Sequence, residues 1–132
     1  MREHSLSAIE SMLARARIGL DRVRAEELDT AMAAGALIVD IRPDRYRAAE
    51  GSIPGAIVLE RNVLEWRLDP TSPDAIPEAD VDRRVIIVCN EGYASSLAAN
   101  TLRELGLTQV GDLDGGYRAW WACKQAGEAA NP

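Results

Sequence analysis

The chain is short of the residues that hold metals and form covalent cross-links. It has one histidine, His4, and two cysteines, Cys89 and Cys123, which do not form a Cys-x-x-Cys pair. Those are too few ligands for a zinc site. A cysteine–histidine protease pair would have to draw His4 in from the N-terminal tail. A structural disulfide does not suit a reducing compartment. Lysine is also scarce: Lys124 stands alone, so almost all positive charge is arginine, and the net charge is −6. That balance argues against nucleic acid and anionic membrane surfaces as partners. No apolar run approaches the ~20 residues of a membrane span. The N-terminal stretch MREHSLSAIESMLARARIGL is periodic and charged, unlike a secretory signal. The expectation is a cytoplasmic protein.

What is present is an ordinary soluble mixture, 47% hydrophobic and 27% charged over 132 residues. That length suits one domain with one core that needs no disulfide or metal. Leu6, Ile9, Leu13, Ala16 and Leu20 fall at helical spacing, so an amphipathic first helix is expected over Leu6–Leu20. A short second helix follows over Ala25–Ala34, stopped by Gly35. Ala36–Ile41 (ALIVDI) and Arg84–Val88 (RVIIV) are continuous and branched, the pattern of strands buried on both faces. Between them come a Pro/Gly-rich loop with one helical turn near Arg45–Ala49, a short strand in AIVLE, a helix ended by Pro70, and a proline-rich loop. A helix with Leu97, Ala98, Leu102 and Leu105 on one face ends at Gly106. An edge-like strand around Gln109–Asp112, a last helix YRAWWACKQAG and a frayed tail EAANP complete the chain. Alternating strands and helices predict an α/β domain, a mostly parallel sheet with helices on both faces.

In such sheets ligands sit beyond the carboxyl ends of the strands. Cys89 lies there, in the stretch VCNEGYAS, between a buried strand and a helix. If Asn90–Ser95 curls around the sulfur, its backbone amides and the helix dipole would favour a thiolate, a persulfide or a substrate oxyanion. Gly92 would permit the curl. Ser95 could cap the helix or donate its hydroxyl to a bound anion. The alternative is that Cys89 is a small hydrophobe finishing a core strand. Cys123, in mid-helix with no such loop, reads as structural.

VCNEGYAS resembles the active-site loop of rhodanese-domain sulfurtransferases. Three further stretches resemble that family in its own order. They are LIVDIRP (Leu37–Pro43), EGSIPGA (Glu50–Ala56) and DGGYRAWW (Asp114–Trp121). The resemblance implies a rhodanese-like fold with a central, mostly parallel five-stranded sheet, helices on both faces and an extra N-terminal helix. It implies a helical extension over residues 1–24, a rhodanese domain over 25–126 and a flexible tail over 127–132. It also implies a persulfide relay in which Cys89 takes sulfane sulfur from a donor such as thiosulfate. The sulfur passes to a thiophilic acceptor such as cyanide or a cellular thiol, and no metal or organic cofactor is required. The loop Asn90, Glu91, Gly92, Tyr93, Ala94 and Ser95 would cradle the anion.

Members active on thiosulfate often carry basic residues in this loop, whereas here Glu91 adds a carboxylate. Compensating charge must come from outside, and Arg42, Arg47 and Arg61 are the candidates. Ser52 stands where the family pattern has histidine. Asp40 and Arg42, at a strand end, are expected to point to opposite faces and to be architectural. Gly115 and Gly116 are read as shaping the turn into the last helix, and Tyr117, Trp120 and Trp121 as core packing. Trp66 is assigned to neither site nor core. Two rival functions have different requirements. A Cys-x5-Arg phosphatase needs an arginine six positions after the cysteine, where this chain has Ser95. A non-enzymatic rhodanese-like module binding a partner protein would typically have lost the cysteine, which this chain keeps.

Overall fold

The computed structural model describes residues 5–130. In chain order the elements are α1 (Ala8–Ala16), β1 (Asp21–Val23), α2 (Leu28–Ala33), β2 (Leu37–Asp40), α3 (Asp44–Glu50), β3 (Ile57–Val58), α4 (Leu64–Leu68), β4 (Val85–Val88), α5 (Ala94–Glu104), β5 (Val110–Leu113) and α6 (Gly116–Ala130). The strands form one five-stranded sheet in the order β1-β5-β4-β2-β3, and each neighbouring pair is parallel. The two apolar runs become β2 and β4, paired from Leu37↔Val85 to Asp40↔Val88. Every residue of both is buried, because the sheet is covered on both faces.

Strand alternation divides the core in two. Leu37, Val39, Val85, Ile87 and Cys89 pack on one face with Leu64, Leu68, Ala98 and Leu102 of α4 and α5. Ile38, Ile86 and Val88 pack on the other with Leu28 of α2 and with Tyr117 and Trp120 of α6. Trp121 departs from the core expectation: it is exposed, and its ring stacks beside that of Tyr117. Trp66 is exposed as well.

The strand at Val110–Leu113 is not an edge. β1 pairs along its outer side, from Asp21↔Gly111 to Val23↔Leu113. This edge strand was missed because it is three residues long and only Val23 is buried. Gly111 admits it: a Cβ there would lie 2.0 Å from the Asp21 carbonyl oxygen. The first helix is shorter than its apolar spacing implies. It starts at a capping box in which Ser7 and Glu10 bond each other's backbone amides. It stops at Ala16 because Arg17–Gly19 turn the chain into β1. The turn near Arg45–Ala49 is a two-turn helix, α3, and α6 continues past Gly127 to Ala130. His4 and the last two residues of the tail lie outside the described residues. No helix among the described residues is long and apolar enough to cross a membrane.

Candidate active site

The site forms at the carboxyl end of β4, where Cys89 leaves the sheet and the chain curls into α5. The Cys89 side chain is buried, and its sulfur accepts N–H bonds from Gly92 (3.2 Å) and Ser95 (3.3 Å). Gly92 makes the curl with φ +87°, and a Cβ on it would sit 2.7 Å from the Gly115 amide nitrogen. Both the conformation and the space demand glycine. Ser95 lies in the first turn of α5, so the orphan amides and the positive end of the helix dipole meet at the sulfur. Two fixed N–H donors and a helix terminus thus point at that atom.

Carbonyls of the same loop are turned elsewhere. The Cys89 carbonyl accepts from the Tyr117 amide (2.8 Å) and the Asn90 carbonyl from the Arg118 amide (3.1 Å). The first N–H groups of α6 thus engage the acceptors of the loop and leave its donors for the sulfur. Gly116 allows this approach, since a Cβ there would lie 2.5 Å from Asn90 backbone atoms.

A cleft of about 420 Å³ opens above Cys89. Asn90, Glu91, Tyr93 and Ala94 border it on the loop side, Arg42 and Tyr46 stand opposite, and Arg61 and Arg118 reach its rim. Gly92 and Ser95 lie beneath it and act through their amides. The Ser95 hydroxyl does not cap the helix, and Ser95 is not among the residues lining the cleft. It donates to the buried Asp112 carboxylate of β5 (2.7 Å), which also accepts from Ser96 (2.7 Å).

The three candidate arginines part company. Arg42 lines the cleft but is buried and engaged. It bonds both carboxylate oxygens of Asp40, the Gly51 carbonyl and the Asn90 amide oxygen, and lies 4.1 Å above the Tyr117 ring centre. Its ion pair with Asp40, at 2.8 Å, corrects the expectation that the two point to opposite faces. Residues two apart along extended chain share a face, and the carboxylate also accepts the Arg42 amide. Arg61 is at the rim, paired with Glu65 one helical turn later at 2.8 Å. Arg47 does not border the cleft; it bonds the Arg42 carbonyl and Asp44 and lies 3.8 Å from Asp40, behind the wall.

Arg118 and Tyr46 border the cleft without having been singled out in the sequence. Arg118 lies between two carboxylates, Glu50 at 2.9 Å and Glu91 at 3.1 Å. The Arg118 bond holds the Glu50 carboxyl below its ordinary range, and Glu50 in turn raises Arg118. Its signal was its place two residues after Gly116, at the start of the helix that abuts the loop. Tyr117 is buried beside this cluster with its hydroxyl donating to the Glu50 carbonyl (2.8 Å), and burial pushes its phenol up. No cluster of metal-ligating side chains is found among the described residues.

These features agree with what the chain resembles. A family model described as the rhodanese-like domain matches residues 24–123. The chain belongs to the rhodanese-like domain family. It is similar to the thiosulfate sulfurtransferase GlpE of Stutzerimonas stutzeri (strain A1501), 37% identical over 99 residues, which are 75% of this chain and 83% of that protein. Among solved structures it is similar to a protein of unknown function from Rhodopseudomonas palustris CGA009, described as a possible tyrosine phosphatase. That match has a TM-score of 0.81 and 31% identity, covering 94% of this chain and 96% of the other. It is also similar to the human single-domain sulfurtransferase TSTD1, with a TM-score of 0.65 and 29% identity, covering 76% of this chain and 95% of the other.

Proposed function

We propose that the protein is a single-domain sulfurtransferase in which Cys89 carries sulfur as a persulfide. The observation that carries this reading is the pair of N–H donors, from Gly92 and Ser95, aimed at a cysteine sulfur on the floor of a cleft. With thiosulfate as donor, the Cys89 thiolate attacks the outer sulfur. A new S–S bond forms, the bond to the sulfonate sulfur breaks, and sulfite leaves with the electron pair. The terminal sulfur keeps one negative charge in the amide cradle. A thiophilic acceptor, cyanide or a thiolate, then attacks that sulfur and releases the Cys89 thiolate. No residue has to deliver a proton in either step. The names of the similar sulfurtransferases support the same class of reaction.

Phosphoryl transfer is the second reading, because one similar structure is described as a possible tyrosine phosphatase. Such a loop binds phosphate through a bidentate arginine. Here Ser95 occupies that place with its hydroxyl committed to Asp112, and the arginines bordering the cleft are paired with carboxylates. The test is intact mass after incubation with thiosulfate. A gain of one sulfur atom is expected in the wild type and none in Cys89→Ala, which should also lose sulfur transfer to cyanide. Absence of the adduct, transfer by Cys89→Ala, or turnover of an aryl phosphate in its place would overturn the proposal.

A further inference from the structure

Two arginines upstream of the matched family segment, Arg17 and Arg22, converge on one atom of the cradle. Arg17 Nη2 donates to the Gly92 carbonyl oxygen at 2.7 Å and Arg22 Nη2 donates to the same oxygen at 2.9 Å. Neither residue reaches it as a loose charge. Arg17 Nε also bonds the Ser96 hydroxyl at 2.9 Å, and its guanidinium lies 5.7 Å from the centre of the Tyr93 ring. Arg22 Nε bonds the buried Asp112 carboxylate at 3.1 Å, and Nη1 pairs with Asp114 at 3.1 Å. Each fork therefore spans the loop carbonyl and a second anchor, a geometry that a lysine ammonium cannot reproduce.

The consequence lies on the opposite side of the peptide. The Gly92–Tyr93 peptide is trans, so the Gly92 C=O and the Tyr93 N–H point in opposite directions. With the oxygen held by the arginines, the Tyr93 N–H is aimed away from their donor atoms, and Tyr93 is one of the residues bordering the cleft. No bond from that amide to a described residue is present. The Cys89 and Asn90 carbonyls are held by the start of α6; the Gly92 carbonyl is held by the N-terminal segment instead. We infer that Arg17 and Arg22 are positioning residues that clamp the Gly92 peptide and so preset the Tyr93 amide as a donor to the anion above Cys89. They do not touch the reacting atoms themselves.

This inference rests on the sulfurtransferase reading for its kinetic consequence but not for its structural one, and the test separates the two. Sulfur transfer from thiosulfate to cyanide is compared for wild type, Arg17→Met and Arg17→Lys, with rates referred to the folded fraction. A misaimed amide donor should lower kcat by about tenfold, less than the roughly 10²–10³-fold of losing an oxyanion donor outright, with KM for thiosulfate within about twofold. Arg17→Lys should fail to restore the rate, because it keeps the charge and loses the fork. Wild-type kcat in Arg17→Met, or full rescue by Arg17→Lys, would overturn the clamp. Arg22→Met, which removes the other guanidinium donor to the Gly92 carbonyl, answers the same question if the Arg17 variants do not fold. If the wild type moves no sulfur, the functional reading fails. The clamp is then judged by amide hydrogen exchange at Gly92 and Ser95 in the same variants. Exchange should accelerate by about tenfold or more, the scale of losing a charge-assisted hydrogen bond; unchanged exchange would overturn it.

Discussion

At the mouth of the cleft, the Glu91 carboxylate stands 3.1 Å from Arg118, a side chain 60% exposed against one 47% exposed. A carboxylate in a loop proposed to cradle an anion looks contradictory until the two jobs are separated. On the proposed reading, backbone amides hold the sulfur and side chains set which donor is drawn toward it. Glu91 leaves the first job untouched and neutralises the cation best placed for the second. Arg118 is further committed to Glu50. Glu91→Lys should therefore lower KM for thiosulfate, and Arg118→Met should raise it. Each change should be about two- to fivefold, since solvent screens an exposed pair and keeps its effect small. Steady-state kinetics at low and high salt check this, because screening should shrink both effects. An uncharged or protein-borne sulfur donor should be indifferent to either substitution.

Among the elements, the start of α6 decides the shape of the site although it contributes no side chain to its floor. Its first amides take the carbonyls of Cys89 and Asn90, which requires Gly116 at φ +65° with nothing but hydrogen at its α-carbon. Gly116→Ala should cost about 2–5 kcal/mol, from the left-handed conformation and the steric overlap together. Urea unfolding checks the magnitude, and the persulfide adduct should be lost in the fraction that remains folded. A stability change below 1 kcal/mol would show that α6 can shift without disturbing the loop. On the other side, Asp112 of β5 fastens the first turn of α5 through the Ser95 and Ser96 hydroxyls. The cradle is thus held between the interior strand β5 and the last helix.

For the whole molecule, the contact between α2 and α6 closes one face of the sheet and carries a pH signature. Asp29 accepts from Lys124 and from the Trp120 indole (3.1 Å). The Lys124 bond, with a smaller part from Trp120, holds the Asp29 carboxyl below its ordinary value, and the same bond raises Lys124. A lowered carboxyl stabilises the fold above its unfolded pKa of about 3.9 and loses that contribution as pH falls through the folded value. A raised amine stabilises below its unfolded pKa of about 10.4 and loses the contribution as pH rises through the folded value. The Tm difference between wild type and Asp29→Asn should be level across neutral pH and shrink toward both extremes. A difference that persists in acid would mean that the packing of Trp120, not the ion pair, sets it.

Much of the fold was legible because it is local or repetitive. Val85–Val88 and Leu37–Asp40 could be buried strands on pattern alone, and a cysteine closing such a strand before a glycine-containing loop already marked the place where a site would form. By itself, then, the sequence determined the α/β class, the two central strands and the position of Cys89. What it could not carry were contacts between residues far apart in the chain. β1 is too short to show a period and exists as a strand because β5 offers it Gly111. Arg118, Arg17 and Arg22 are ordinary surface-type residues in sequence, and they acquire roles only where three separate elements meet the loop. Arg42 and Arg47, five positions apart, ended on the wall and behind it because α3 starts between them. Only the tertiary structure decided which arginines reach the cleft and what holds its carbonyls, since a hydrogen bond is chosen by distance in space, while periodicity records only which face of an element meets the core.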